Sequence, residues 1–178
     1  MNAKKVLCGI MVGFFVVGMS ASAFAFFGPD KFKAEVEKEQ GAVKLLREVQ
    51  QGGYGIVTTD ELKAMIDAKK DALIIDTMPY EDSYKKNHVP GAKQFLFPIA
   101  AMPQWDTKET GGKTVEDFKA LLGPDKDRVI VLYCGFVKCT RSHNGAAWAQ
   151  KLGYTHVLRY PGGVFAWKGA GYPVEAEK

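Results

Sequence analysis

The chain has 178 residues, 47% of them hydrophobic and 25% charged, the balance of a soluble globular protein with one core and an appendage. Its formal charge of +4 falls to +2 without Lys4 and Lys5, because residues 1–25 hold no acidic side chain. So small a charge gives no support to nucleic-acid binding.

Lys4 and Lys5 open a positive n-region, Val6 to Val17 is apolar apart from Gly9 and Gly13, and Ala23-Phe24-Ala25 ends it on a small-x-small site. This pattern predicts a cleaved signal peptide over 1–25, and hence a periplasmic or secreted protein. Cys8 leaves with that leader, so the mature chain keeps Cys134 and Cys139. In an oxidising compartment two cysteines default to a disulfide. This pair would close a very small loop and remove little chain entropy, which favours a functional pair over a structural staple.

Residues 26–57 read as an N-terminal amphipathic arm and linker, and residues 58–175 as the domain proper. Within the arm, Phe32, Val36, Val43 and Leu46 lie among Lys and Glu at loosely helical spacing from Asp30 to Gln51. The expectation is a helix that packs on the domain or on a protein partner through residues 30–51. Gly52-Gly53-Tyr54-Gly55 breaks it, and Ile56-Val57 reads as a short strand. Thr58 with Glu61 forms a capping box for a helix through Leu62, Met65 and Ile66.

Ala72-Leu73-Ile74-Ile75-Asp76 is an apolar strand ending on an acid. Asp76 is expected to accept backbone N–H groups in the following turn. Tyr80 to Lys86 reads as a short helix. His88, before Val89-Pro90-Gly91, is expected to tie loop to loop rather than to exchange protons. The turn leads to Phe95-Leu96-Phe97, and Pro98 to Gly112 is irregular; its Met102 and Trp105 either wall a site or fill a satellite core. Thr114 caps a helix carrying Val115, Phe118, Leu121 and Leu122, ended by Gly123-Pro124.

Val129-Ile130-Val131-Leu132-Tyr133 is continuously apolar and β-branched, as a strand buried on both faces of a parallel sheet reads. It runs directly into Cys134 and Gly135, then a polar loop from Lys138 to His143, and a helix is legible from Ala146. A nucleophile at a strand's C-terminal end, facing a helix N-terminus, lies where backbone N–H groups and the helix dipole favour an anion. That placement predicts a depressed pKa for Cys134. Gly135, Lys138, Arg141 and Ser142 are the candidate anion-binding residues. Two cysteines and His143 lack a third firm metal ligand, so no metal and no cofactor is expected. Thr155 to Tyr160 is the last strand, and Val164 to Trp167 begins a final helical turn. Strands alternating with helices imply a parallel sheet covered on both faces.

From about Thr58 to Val174 these landmarks, in this order, resemble a single rhodanese domain. Thr58 to Leu62 is similar to the family's opening helix, and Leu73 to Asp76 to its strand ending in Asp. His88-Val89-Pro90-Gly91-Ala92 is similar to its H-[IV]-P-G-A turn. Gly162-Gly163, Ala166-Trp167 and Gly171-Tyr172-Pro173-Val174 resemble its closing segment. The resemblance implies a three-layer α/β/α fold with a central, mostly parallel sheet. It also implies sulfurtransferase activity through a persulfide on Cys134, a small anionic sulfur donor such as thiosulfate, and a thiol or other nucleophilic acceptor.

The chain departs from the family twice. Asp76-Thr77-Met78 stands where the family has Asp-x-Arg. With Arg141-Ser142 aligned to the family's Arg-Ser, the cysteine loop is two residues longer and carries Cys139 in the extra length. Rhodanese-fold phosphatases and arsenate reductases show Cys-x5-Arg, whereas six residues separate Cys134 from Arg141. Cys139 has three readings: a resolving or redox partner, the nucleophile itself, or a bystander. The rival functions are a thiol–disulfide or oxyanion-reducing protein and a non-catalytic persulfide carrier.

Overall fold

The β-branched apolar runs become the central strands. The computed structural model describes residues 29–177, so the leader expected over 1–25 lies outside the described residues. Residues 1–37 and 38–178 form separate units, and the described part of the first is the opening of helix α1 (Pro29–Gly52).

In the second unit β1 (Gly55–Ile56) is followed by α2 (Thr59–Asp67), β2 (Ala72–Asp76), a π-helical turn at Tyr80–Tyr84, and β3 (Lys93–Gln94). Then come α3 (Val115–Leu122), β4 (Val129–Tyr133), α4 (Arg141–Lys151), β5 (Val157–Tyr160) and α5 (Gly163–Gly169). The sheet order is β1-β5-β4-β2-β3, and every named strand pair is parallel.

Strand β4 lies at the centre, paired with β2 from Ala72↔Val129 to Asp76↔Tyr133 and with β5 from Ile130↔Val157 to Tyr133↔Tyr160. The two-residue period of a strand sends its side chains to opposite faces. Ile130 and Leu132 join Leu73, Ile75, Phe118, Ala146 and Ala149 in one core. Val131 and Tyr133 join Ile74, Leu62, Val164 and Trp167 in the other. Helices α3 and α4 therefore cover one face and α2 and α5 the other, the expected three-layer α/β/α arrangement.

Local signals set most of the boundaries. Thr58 accepts from the Glu61 N–H while the Glu61 carboxylate accepts from the Thr58 N–H, and Thr114 and Asp117 repeat that box at the start of α3. Trp105 fills core rather than walling a site: its ring lies 5.0–6.1 Å from those of Phe95, Phe97, Phe118 and Trp148.

Two expectations are corrected, and one strand is added where none was read. Phe32, Val36, Val43 and Leu46 of α1 are all exposed, and the buried side chain of that helix is Glu48. The β3 strand is Lys93–Gln94, and Phe95 and Phe97 follow it as buried aromatics outside regular structure. Helix α4 begins at Arg141 rather than at Ala146, because Ser142, His143 and Asn144 are poor helix formers held in its first turn by burial and tertiary hydrogen bonds.

Candidate active site

Strand β4 delivers Cys134 at its end, the chain loops through 135–140, and α4 starts at Arg141. Both cysteines are reduced and buried, Cys134 completely and Cys139 with 7% of its surface exposed.

Their surroundings differ in sign. Cys134 Sγ lies 3.3 Å from the Cys139 carbonyl oxygen, 4.0 Å from that of Phe136 and 3.2 Å from Ser142 Oγ. Two of these three partners can only accept a hydrogen bond, so they favour the thiol over the thiolate. Burial and the Cys139 side chain push the Cys134 pKa well above the ordinary value, and Ser142 opposes them. The depressed pKa expected at Cys134 is therefore found at its neighbour. The neighbouring Cys134 side chain, the backbone N–H groups of Arg141 and Gly135, and the Arg141 charge all favour the Cys139 thiolate. Together these hold Cys139 at about 6, against the burial that raises it. The groups of the loop that favour an anion thus converge on Cys139 rather than on Cys134.

The other candidate residues take distinct places. Gly135 contributes its N–H to Cys139. Arg141 donates from Nη1 to the Phe97 carbonyl, which leaves its charge near the loop but engages its fork. The Lys138 side chain is exposed, while its carbonyl accepts from Lys44 Nζ of α1 at 2.8 Å. Ser142 is fully buried against Cys134 Sγ.

Asp76 accepts from the Met78 N–H at 2.8 Å, as a turn residue does. Burial raises its carboxyl to about 6 against that hydrogen bond, and its Oδ2 has no partner. Met78, at the family's Arg position, puts a methyl near Gly135 instead of a cation near Asp76. His88 ties loops together: its Nδ1 lies 2.8 Å from the Tyr84 carbonyl, its ring stacks on Tyr84 at 4.0 Å, and its backbone bridges to Glu175.

A model of the rhodanese-like domain matches residues 58–170. The chain belongs to the rhodanese-like family. No curated protein sequence matches significantly. Among solved structures, a thiosulfate sulfurtransferase from Pseudomonas aeruginosa is 22% identical with a TM-score of 0.57, over 78% of this chain and 23% of that one. A Bacillus halodurans protein is 17% identical with a TM-score of 0.52, over 84% and 87%. A Rhodopseudomonas palustris protein, titled a possible tyrosine phosphatase, is 22% identical with a TM-score of 0.50, over 74% and 93%. At these identities the structural matches show the rhodanese-like fold alone.

Sequence reasoning missed three members of the site. Arg159 of β5 is completely buried and donates to Ser142 Oγ at 2.9 Å, to the Cys139 carbonyl at 2.8 Å and to the Val137 carbonyl at 3.4 Å. Glu48 of α1 forms its ion pair, and Tyr54 Oη lies 3.3 Å from its Nη1. Tyr54 accepts there and so donates its own proton to His143 Nδ1 at 2.8 Å. His143, its pKa lowered by burial, is the neutral imidazole that can accept it.

Proposed function

We propose that this rhodanese-like chain is an exported sulfurtransferase that carries sulfane sulfur on its cysteine loop. One feature supports the reading most: Cys139, just before α4, whose thiol pKa is held low by the neighbouring Cys134 side chain and by the Arg141 and Gly135 N–H groups. The Cys139 thiolate attacks the outer sulfur of a donor such as thiosulfate, and sulfite leaves with the electron pair of the broken S–S bond. The same N–H groups stabilise the resulting persulfide anion. A thiol or other nucleophile then attacks the outer sulfur, and the Cys139 thiolate leaves. Exposed Lys138 and the Arg141 charge attract the donor, Gly135 offers its N–H, Ser142 supports the loop from its buried side with Asp76 and His88, and no cofactor takes part.

Cys134 as the nucleophile is the second reading, favoured by its place at the strand end and by the Ser142 hydroxyl on its sulfur. A third reading, thiol–disulfide cycling, draws on two free cysteines meeting in one loop, with Cys134 Sγ 3.3 Å from the Cys139 carbonyl. In it Cys134 attacks the inner sulfur of the Cys139 persulfide, forming a disulfide and releasing hydrosulfide.

Intact mass after brief thiosulfate exposure separates these readings. Gain of one sulfur by the reduced chain and by Cys134→Ser, but not by Cys139→Ser, supports Cys139. The reverse pattern moves the nucleophile to Cys134. Loss of two hydrogens with no sulfur retained favours the disulfide cycle.

A further inference from the structure

Arginine has only donors. Arg159 Nε donates to Ser142 Oγ, so that oxygen must accept, and the free hydroxyl proton of Ser142 turns to its other neighbour, Cys134 Sγ. The Cys134 thiol in turn faces the Cys139 carbonyl at 3.3 Å. The hydrogen bonds therefore run from the buried guanidinium through Ser142 to the Cys134 sulfur. The same guanidinium holds the carbonyls of Val137 and Cys139, which fixes the far limb of the loop. Glu48 reaches Arg159 from α1, where Lys44 lies 3.6 Å from the carboxylate and Thr140 donates to it at 3.4 Å.

We propose that Arg159 and Glu48 are a positioning pair for the cysteine loop: Arg159 holds the loop through the Val137 and Cys139 carbonyls and Ser142 Oγ, and Glu48 sets how much of its positive charge the loop feels. Neither residue touches substrate. Helix α1, through Glu48, is thereby a working part of the site. The charged and titratable groups around the loop are Cys134 from β4, Arg141 from α4, Asp76 from β2, Arg159 from β5 with its Nη2 2.8 Å from the Cys139 carbonyl, and Glu48 from α1, with Tyr54, Lys44 and His143 flanking the pair. Removing one charge of the pair while keeping the other should therefore move the thiolate in opposite directions.

The test is a thiolate absorbance titration of the reduced full chain over the acid-to-neutral range, below tyrosine ionisation, with Cys139→Ser as the blank. Glu48→Gln leaves Arg159 uncompensated and is expected to raise the thiolate-to-thiol ratio at the parent's midpoint about tenfold, as a unit charge at this range does. Arg159→Met leaves Glu48 behind and lets Ser142 turn, and is expected to lower that ratio by about the same factor. Arg159→Lys, which keeps the charge without the fork, restores part of the loss and serves if Arg159→Met does not fold.

Shifts of the same sign in Glu48→Gln and in the Arg159 variants, as simple loosening of the loop would give, overturn the proposal, and so does an unmoved midpoint. The inference rests on the cysteine loop being the reactive centre, yet the titration needs no donor. A chain that titrates as expected but takes up no sulfur refutes the transfer reading alone.

Discussion

Gly163 offers the sharpest test of how the loop is held from its other side. Its φ of +61° is left-handed, and from there the N–H groups of Val164 and Phe165 donate to the carbonyls of Cys134 and Gly135, each at 3.0 Å. A Cβ at this position would stand 2.2 Å from the Cys134 oxygen and 2.7 Å from both the carbon and the oxygen of Gly135. These are backbone atoms, so no side-chain rotation relieves the clash. Gly163→Ala must adopt the left-handed conformation at a cost of about 1 kcal/mol and push the loop off two hydrogen bonds of about 1 kcal/mol each. The expected loss is about 3 kcal/mol, or roughly 10 °C in Tm for a chain of this size. Urea denaturation measures the first and calorimetry the second. Gly169→Ala, in the same helix with open space around its Cβ, is the control and should stay within about 0.5 kcal/mol of the parent. A Gly163→Ala protein as stable as that control would refute the account of how α5 holds the loop.

Alkylation of the reduced chain by iodoacetamide should rise with pH through a midpoint at about 6, and Cys139→Ser should abolish that limb. Because the fold depresses this pKa, the stability it contributes is present above the unfolded thiol's value and is lost as pH falls through 6. An alkylation midpoint near that of a free thiol would contradict the cradle. Asp76 behaves oppositely. Its carboxyl is raised from 3.8 to about 6, so the protonated fold is favoured at low pH, and about 3 kcal/mol should be lost as pH rises from 4 through 6. Asp76→Asn should flatten that part of the stability–pH curve; an unchanged slope would remove Asp76 as its source. Tyr133→Phe should cost about 2 kcal/mol, because the buried Val89 N–H loses the hydroxyl it donates to at 2.9 Å. Faster hydrogen exchange at Val89 checks the cause, and unchanged exchange there would refute it.

The layers of this fold were legible because each strand announces itself over a handful of neighbouring residues. Ala72 to Asp76 and Val129 to Tyr133 read as central strands and are central strands, and the Thr58–Glu61 box starts α2 as its spacing requires. Legibility failed where burial overrode local preference. Ser142, His143 and Asn144 read as loop but form the first turn of α4, since each side chain is spent on a distant partner: Cys134, Tyr54 and the carbonyls of Pro98 and Ala100. In α1 the apolar spacing suggested which face turns inward, yet the buried side chain is the acid Glu48, drawn to a cation that periodicity does not register.

The cysteine loop shows why position along the chain does not determine acidity. Cys134 sits where the strand-end argument puts a nucleophile, but an N–H cradle is a matter of which way each peptide faces. In this longer loop the carbonyls of Phe136 and Cys139 turn toward Cys134, while the N–H groups of Gly135 and Arg141 turn toward Cys139. Those orientations are held by Arg159, whose partners lie 111 residues away at Glu48, 105 at Tyr54 and 17 at Ser142. Within Thr155 to Tyr160 an arginine gives no hint of complete burial, because a lone buried guanidinium would be prohibitive. Only the carboxylate contributed by α1, together with two carbonyls, a serine and a tyrosine, makes that burial sustainable. The hydrogen bonds that hold the loop thus rest on a charge pair that assembles only when α1 and β5 have both found their places.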